Sequence, residues 1–434
     1  MSDSLIGVLG IAALFALLAL RVPVAFAMFA VGFLGVWVLN GLNASMSLLA
    51  SEAFTLASSP ELIVIPLFIL MGNVASQTGM SRKLFDAAYA VIGSIKGGLA
   101  SATVIGCGGF AALSGSSVAS ALTMGKVALA EMDRFNYDDR LSTGVVAAGG
   151  TLGILIPPST GFVIYAILTE QSIGRLFMAG ILPGALLMIL FIATVWLMAL
   201  RNPTEAPAGP NVPMGERFRI LGHAAPLLGV MVLTIGGIYV GAFTPVEASG
   251  IGAGLVILIA LLTRKLNWQG FYEALLDTLK TTAMLYMIVI GANVLNPFFA
   301  VTQIPATLGE GLQSLGLGPY GTLLVIILAY VAMGMFMDGL SMLVISIPVV
   351  FPVIVAMGFD PIWFGVVAVI VIEMGMITPP VGLNVFVVRG VAGDVPLTTV
   401  FRGVAPFLLA MIVGLILIIL IPQIALLIPN SMFG

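Results

Sequence analysis

The sequence has one cysteine and one histidine in 434 residues. The lone Cys107 excludes an intrachain disulfide and a cysteine metal cluster. Charge is scarce as well: 8% of the residues are Asp, Glu, Lys or Arg, against about 25% in soluble domains. The net charge is −3 and no basic block stands anywhere, so no nucleic-acid partner is expected. A phosphate loop of the form G-x-x-x-x-G-K-[ST], a His/Cys/carboxylate metal set and a credible Ser/His/Asp arrangement are all missing. An enzyme is therefore not expected. Any uphill transport must draw on an ion gradient or on another chain.

What the chain has in quantity is apolar length. Hydrophobic residues make up 60%, and glycine contributes 51 residues. A bilayer span takes roughly 20 apolar residues, so the chain holds up to about a dozen, fewer where segments turn back inside the membrane. Small residues suit close helix contacts in lipid. The expected fold is all-α: a polytopic membrane protein with two inverted repeats, two re-entrant helical hairpins and two broken helices. The opening run Leu5–Leu20, followed by Val24-Ala25-Phe26-Ala27, imitates a signal peptide. A signal peptide begins with a positive region, whereas here Asp3 precedes the run and Arg21 follows it. The run reads as an uncleaved first span with its N-terminus outside.

Two stretches organise the rest. Leu152-Gly153-Ile154-Leu155-Ile156-Pro157-Pro158-Ser159-Thr160-Gly161 returns in altered form as Met374-Gly375-Met376-Ile377-Thr378-Pro379-Pro380-Val381-Gly382. Proline inside a helix removes a hydrogen bond and clashes with the preceding turn. Each run is therefore expected to be a helix that stops and restarts at membrane depth. Unpaired backbone is tolerated there only when it is buried in protein or lines a polar cavity. Paired interruptions in two halves are the best sequence pointer to a transporter's binding site.

The first hairpin is expected to be Gly97–Leu113, a tip at Ser114-Gly115-Ser116-Ser117, and a return over Val118–Met132. Basic residues flank it on both sides, which makes it enter and leave by the cytoplasmic face. The second runs Thr322–Met337, Asp338-Gly339-Leu340-Ser341 and Leu343–Met357, entering from outside. The broken spans are Leu141–Leu168 and Trp363–Val388. Asn40–Pro60 reads as an outer loop, Leu84–Ile95 and Trp268–Leu279 as surface helices, and Thr282–Leu295 and Val404–Leu427 as spans. Both termini then lie outside. Of the 16 Lys and Arg, only Arg175 and Lys126 fall off the cytoplasmic face in this layout, as the positive-inside rule requires.

The halves also align. Asn73-Val74 answers Asn293-Val294, Ser114-Gly115 answers Asp338-Gly339, and Phe135-Asn136-Tyr137 answers Phe359-Asp360-Pro361. Pro157-Pro158 answers Pro379-Pro380, and Ile181-Leu182-Pro183 answers Val404-Ala405-Pro406. The offsets stay between 220 and 224 residues. The expected divisions are 1–96 (scaffold helices and arm), 97–200 (first hairpin and broken span), 201–220 (cytoplasmic linker), 221–317 (second scaffold and arm) and 318–434 (second hairpin, broken span and last helix).

The candidate ion- or substrate-binding residues are those of the tips and breaks. Ser114, Gly115, Ser116 and Ser117 offer hydroxyls and carbonyls for a hard cation, or simple helix caps. Gly153, Pro157, Pro158, Ser159 and Thr160, with Gly375, Thr378, Pro379, Pro380, Gly382 and Asn384, set hydroxyls and an amide beside freed backbone. Half-helix N-termini attract anions and C-termini attract cations; a plain structural kink is the other reading. Asp338, with Gly339 and Ser341, is an ionisable group inside an apolar run and a coupling or gating candidate; it is equally of the type that caps a helix. Glu373 is a weaker candidate. Asn73, Asn293 and Asn296 read as polar partners between helices, and Cys107 and His223 as packing or interface residues.

Phe110-Ala111-Ala112-Leu113-Ser114-Gly115-Ser116-Ser117-Val118-Ala119, Gly153-Ile154-Leu155-Ile156-Pro157-Pro158-Ser159, Phe336-Met337-Asp338 and Ile377-Thr378-Pro379-Pro380-Val381-Gly382-Leu383-Asn384 together resemble the large membrane subunit of TRAP transporters. These are the tripartite ATP-independent periplasmic transporters of bacteria and archaea, and the likeness spans essentially the whole chain. The resemblance implies an inner-membrane permease of the elevator type. It implies a small four-span membrane subunit and a periplasmic substrate-binding protein as partners, and a carboxylated organic solute as cargo. It implies Na⁺ as coupling ion, held near Ser116, Ser159, Asp338 and Thr378, and no other cofactor. The alternative is a stand-alone ion-coupled organic anion carrier of the same fold, without a binding protein.

Overall fold

Proline and small polar residues punctuate the apolar runs, and the helices begin where they stand. The computed structural model describes residues 3–432, and every regular element among them is helical. The outermost residues of the expected divisions 1–96 and 318–434 lie outside the described residues.

The first half comprises α1 (Asp3–Ala19), α2 (Val24–Asn40), α3 (Leu42–Ser58), α4 (Val64–Gln77), α5 (Met80–Ile92), α6 (Gly98–Ser114), α7 (Ser117–Arg134), α8 (Asp139–Thr151), α9 (Thr160–Thr169) and α10 (Ile173–Arg201). The second comprises α11 (Met214–Tyr239), α12 (Pro245–Leu262), α13 (Trp268–Val301), α14 (Ile304–Ser314), α15 (Gly318–Gly334), α16 (Gly339–Ala356), α17 (Pro361–Ile377), α18 (Leu383–Ala392), α19 (Leu397–Leu420) and α20 (Gln423–Met432). Among the described residues, seven helices are long and apolar enough to cross a bilayer: α4 with its leading turn, α10, α11, α12, α13, α16 and α19. Side-chain caps fix several starts. Asp138 caps α8, Ser172 caps α10, Asn267 caps α13 and Asp360 caps α17. Thr244 and Glu247 form a reciprocal capping box at α12.

The expected hairpins and broken spans are present as α6/α7, α15/α16, α8/α9 and α17/α18. Three readings change. Asn40–Pro60 is not a loop: Leu42–Ser58 forms a 17-residue helix, because only Gly41 is needed to turn the chain and nothing after it breaks a helix. Trp268–Leu279 and Thr282–Leu295 are one 34-residue helix, α13. The Lys280-Thr281 pair between them is polar but not helix-breaking. The closing span starts earlier, at Leu397, and is cut at Pro422 into α19 and α20.

Two groups of helices carry the core. In one, α2 and α4 pack on α13, and α12 packs on α4. The Phe298 ring of α13, 1% exposed, fills the space beside Gly10 and Gly35 and joins α1 and α2 to it. In the other, the first hairpin packs on α10, both broken helices pack on α10 and α19, and the second hairpin packs on α9 and α17. α5 lies between them, against α6 and α11. The 202–213 linker is tied down: Tyr137 donates its hydroxyl to Pro207 O at 2.8 Å, and Asp138 N donates to Glu205 O at 3.1 Å.

Candidate functional site

At the first break, α8 ends, the chain makes a tight turn at Leu152–Ile154, and α9 starts at Thr160. Ser159 caps α9 by accepting from Phe162 N at 3.2 Å, and donates its own hydroxyl to Ile154 O. The first hairpin tip docks onto this break. Thr160 donates to Gly115 O from both its backbone N, at 3.3 Å, and its Oγ1, at 2.7 Å. Gly153 meets the tip so closely that a Cβ there would lie 2.5 Å from Ser116 O. Pro157, Pro158, Ser159 and Thr160 are all buried. Ser114 shares a hydrogen bond with Ser120 at 3.0 Å, and Ser116 caps α7 by accepting from Ala119 N at 3.4 Å.

The second break repeats the plan. Thr378 closes α17 by donating Oγ1 to Met374 O at 2.6 Å, and Gly382 N donates to Met335 O, in the second tip, at 3.3 Å. Gly375 packs on Gly334, where a Cβ would lie 2.6 Å from the Gly334 Cα. Both Pro-Pro peptide bonds, at 157–158 and 379–380, are cis. Exposure separates the two sites. Pro379, Pro380 and Asp338 are exposed, while Thr378 is half-buried. Asp338 caps α16 by accepting from Ser341 N at 3.0 Å. Ser116 and Ser159 thus stand as caps at the first tip and the first break, and Asp338 and Thr378 at the second tip and the second break.

The two sites meet. The Ser117 Oγ approaches Met376 Sδ at 4.0 Å, joining the first tip to the second broken helix. A cavity of about 270 Å³ lies beside this junction, lined by Asn73 and Ser76 of α4, Ser114 and Ser116 of the first tip, Thr160 of α9, Asp277 and Thr281 of α13, and Leu340 of α16. The first turns of α7, α9 and α16 all end at its wall. Helix N-termini carry partial positive charge and free N–H groups. The starts of α7, α9 and α16 thus border the cavity with their caps Ser116, Ser159 and Asp338 each taking a backbone N–H, and Asp277 places a carboxylate in the same wall.

Some contributors are not legible in the sequence. Asn73 donates to Thr278 Oγ1 at 3.0 Å, and Asp277 and Thr281 line the cavity because α13 continues through the position where a surface helix was expected to stop. Asn293, the repeat partner of Asn73, lines a different and larger cavity of about 910 Å³, with Glu61, Glu170 and Gln171. Asn384 is fully buried with neither amide atom partnered. Cys107 packs against Gly149 of the first broken helix, and His223 is exposed on α11.

Multiple spans, hairpins and interrupted helices that meet in pairs define the class: a multi-pass membrane transport permease. Residues 11–424 match the family described as "Tripartite ATP-independent periplasmic transporter, DctM component", and the chain belongs to that family. It is 39% identical over 387 residues to the C4-dicarboxylate TRAP transporter large permease protein DctM of Pseudomonas aeruginosa, covering 89% of this chain and 90% of that one. It is 33% identical over 375 residues to the sialic acid TRAP transporter large permease protein SiaM of Vibrio cholerae, covering 86% and 87%. It is 31% identical over 426 residues to the ectoine TRAP transporter large permease protein TeaC of Halomonas elongata, covering 98% and 99%. In fold it is similar to the Alcanivorax borkumensis YdaH transporter, with a TM-score of 0.58 at 17% identity over 90% of this chain and 88% of that one.

Proposed function

We propose that this large permease subunit imports a carboxylated organic solute, coupled to Na⁺, and that the solute carboxylate sits in the cavity between α4, α13 and the hairpin tips. The observation that carries this reading is the convergence of the α7, α9 and α16 N-termini on that cavity. Backbone N–H groups and a positive helix end bind carboxylates without a basic side chain. Relatives named for C4-dicarboxylate and sialic acid transport support a carboxylated cargo.

Sodium belongs with the tips and breaks. Gly115 O, Pro158 O, Ile154 O, Ser159 Oγ and Thr160 Oγ1 form an oxygen-rich spot at the first break. Hard cations select such oxygen sets. Asp338 and Thr378 serve the second site. The hairpins and broken helices then form the transport domain, which slides against a scaffold of α1–α4 and α11–α13. The chain lies in the bacterial inner membrane with both termini outside. A small four-span subunit braces it, and a periplasmic binding protein delivers the solute.

Uptake by vesicles holding this chain, the small subunit and the binding protein tests the reading. Ser116→Ala, Ser159→Ala and Asp338→Ala should each lower uptake and weaken its sodium dependence. If all three leave both intact, the reading fails. Equal uptake by vesicles holding this chain alone would replace it with a stand-alone carrier.

A further inference from the structure

Residues 202–213 carry the chain from α10, which packs on the first hairpin and both broken helices, to α11, which packs on α5 and α12. On the way the segment is fastened at the hairpin base, at the end of α5 and at α11. At the hairpin base, Ala206 O accepts from Gly97 N at 3.1 Å, Pro207 O from the Tyr137 hydroxyl at 2.8 Å, and Glu205 O from Asp138 N at 3.1 Å. The Tyr137 hydroxyl itself accepts from Leu99 N, in the first turn of α6, at 3.3 Å. Arg140 of α8 pairs with the Glu205 carboxylate at 3.6 Å. At the end of α5, Gly209 N donates to Gly93 O at 2.9 Å. At α11, the Arg217 guanidinium donates to Val212 O at 2.9 Å and to Asn211 Oδ1 at 2.8 Å.

Gly93 and Gly97 are the two ends of the bend between α5 and α6. The segment is therefore bonded to both sides of that bend. Only Ala208 separates the hairpin anchor from the α5 anchor, and only Pro210 separates the α5 anchor from the α11 anchor. An extended chain spans at most about 3.6 Å per residue, so Pro207 and Asn211 stay within about 14 Å of each other. A slide that takes the hairpin base farther than this from the head of α11 must undo an anchor. The hairpin anchor has several hydrogen bonds and an ion pair, the α11 anchor has the two bonds of Arg217, and the α5 anchor has the single Gly209–Gly93 bond. Beside that bond, Gly209 rests on Tyr89, whose hydroxyl is buried and bonded to nothing. This contact parts without breaking a further hydrogen bond. It also admits no side chain: a Cβ on Gly209 would stand 2.9 Å from Gly93 O and closer still to Tyr89 Oη.

We propose that residues 205–212 are a strap that holds the bend between α5 and α6, and that the strap parts at the Gly209–Gly93 contact when the hairpin unit slides against α11. The proposal rests on the sliding transport domain proposed above. The strap favours the arrangement seen here and sets how readily the carrier leaves it.

Hydrogen exchange and spin-label distances, both on the full chain in lipid vesicles, test this. The labels go on Lys126→Cys of α7 and Arg219→Cys of α11, both exposed positions, while the buried Cys107 stays unlabelled. Gly209→Ala should speed exchange of the 93–98 and 205–209 amides together by about fivefold, the factor set by the net worth of one hydrogen bond. It should also add a second label-to-label distance. A short Gly/Ser insert between Pro207 and Ala208 is the second variant. It should widen the distance distribution even if the alanine variant misfolds. Two results overturn the strap alone. One is more than one distance in the wild type while those amides stay protected. The other is faster exchange at 205–209 with 93–98 unchanged. A single distance, identical in the wild type and both variants, removes the sliding itself and the role of the strap with it.

Discussion

Thr160 binds the carbonyl of Gly115 twice, through its backbone N at 3.3 Å and its Oγ1 at 2.7 Å. The two residues belong to different devices, the first hairpin tip and the restart of the first broken helix. At the second site, Gly382 N donates to Met335 O at 3.3 Å. Gly382 has no hydroxyl to add a second bond. The first tip is therefore latched more firmly than the second, in keeping with its deeper burial.

Removing the hydroxyl while keeping the shape isolates its share of the latch. Thr160→Val should cost about 1 kcal/mol of stability, the usual net worth of one intramolecular hydrogen bond. Thermal unfolding of the purified chain measures this. Uptake should fall as well, because the first tip opens more readily.

Gly153 and Gly375 occupy equivalent places, each where a tip backbone touches a broken helix. A methyl group at Gly153 would lie 2.5 Å from Ser116 O, and one at Gly375 would lie 2.6 Å from the Gly334 Cα. Neither neighbour is the end of a flexible side chain. Gly153→Ala and Gly375→Ala should each destabilise by about 1–3 kcal/mol, the range for overpacking. Both should abolish uptake. Unaltered melting in either variant would show that the tip does not rest on the break.

Asn73 and Thr278 join α4 to α13 through one 3.0 Å hydrogen bond. Polar pairs between membrane helices couple by about 0.6 kcal/mol on average. A double-mutant cycle with Asn73→Ala and Thr278→Ala should return a coupling of that size. A value of zero would mean that the two residues act independently.

Asp86 lies half-buried on α5, and burial pushes its carboxyl above the usual carboxylate range. Arg82 opposes the shift and Glu131 reinforces it. The folded state therefore holds this proton more tightly than the unfolded chain does. Its stabilising share is complete below the unfolded value of about 3.9 and is lost as pH rises through the higher folded value. Asp86→Asn removes that dependence. Its melting temperature relative to wild type should rise between about pH 4 and pH 7, modestly because the group is partly solvated. A constant difference across that range would contradict the assignment.

Much of this molecule can be read along the chain, because the governing forces are local. Paired prolines stop helices wherever they fall, so both breaks are visible at Pro157-Pro158 and Pro379-Pro380. Ser114–Ser117 and Asp338 mark the tips because a polar run ends an apolar one. Motif order is also a chain property, and it is what connects the sequence to its family. Boundaries that depend on the absence of a breaker are less visible. Charges at Asp277 and Lys280 suggest a water-facing segment, yet nothing there stops a helix, and α13 runs on.

By itself, then, the sequence determined an all-helical membrane protein with two interrupted helices and two helix–turn–helix hairpins, since hydrophobic length and proline act within a few residues. Only the tertiary structure decided which ends meet. It set the N-termini of α7, α9 and α16 around one cavity, made Asp338 an exposed cap, buried Glu373, and laid residues 205–212 across the bend between α5 and α6. Those outcomes depend on packing between distant segments. In such contacts, shape and the pairing of backbone groups decide, and no short stretch of chain encodes them alone.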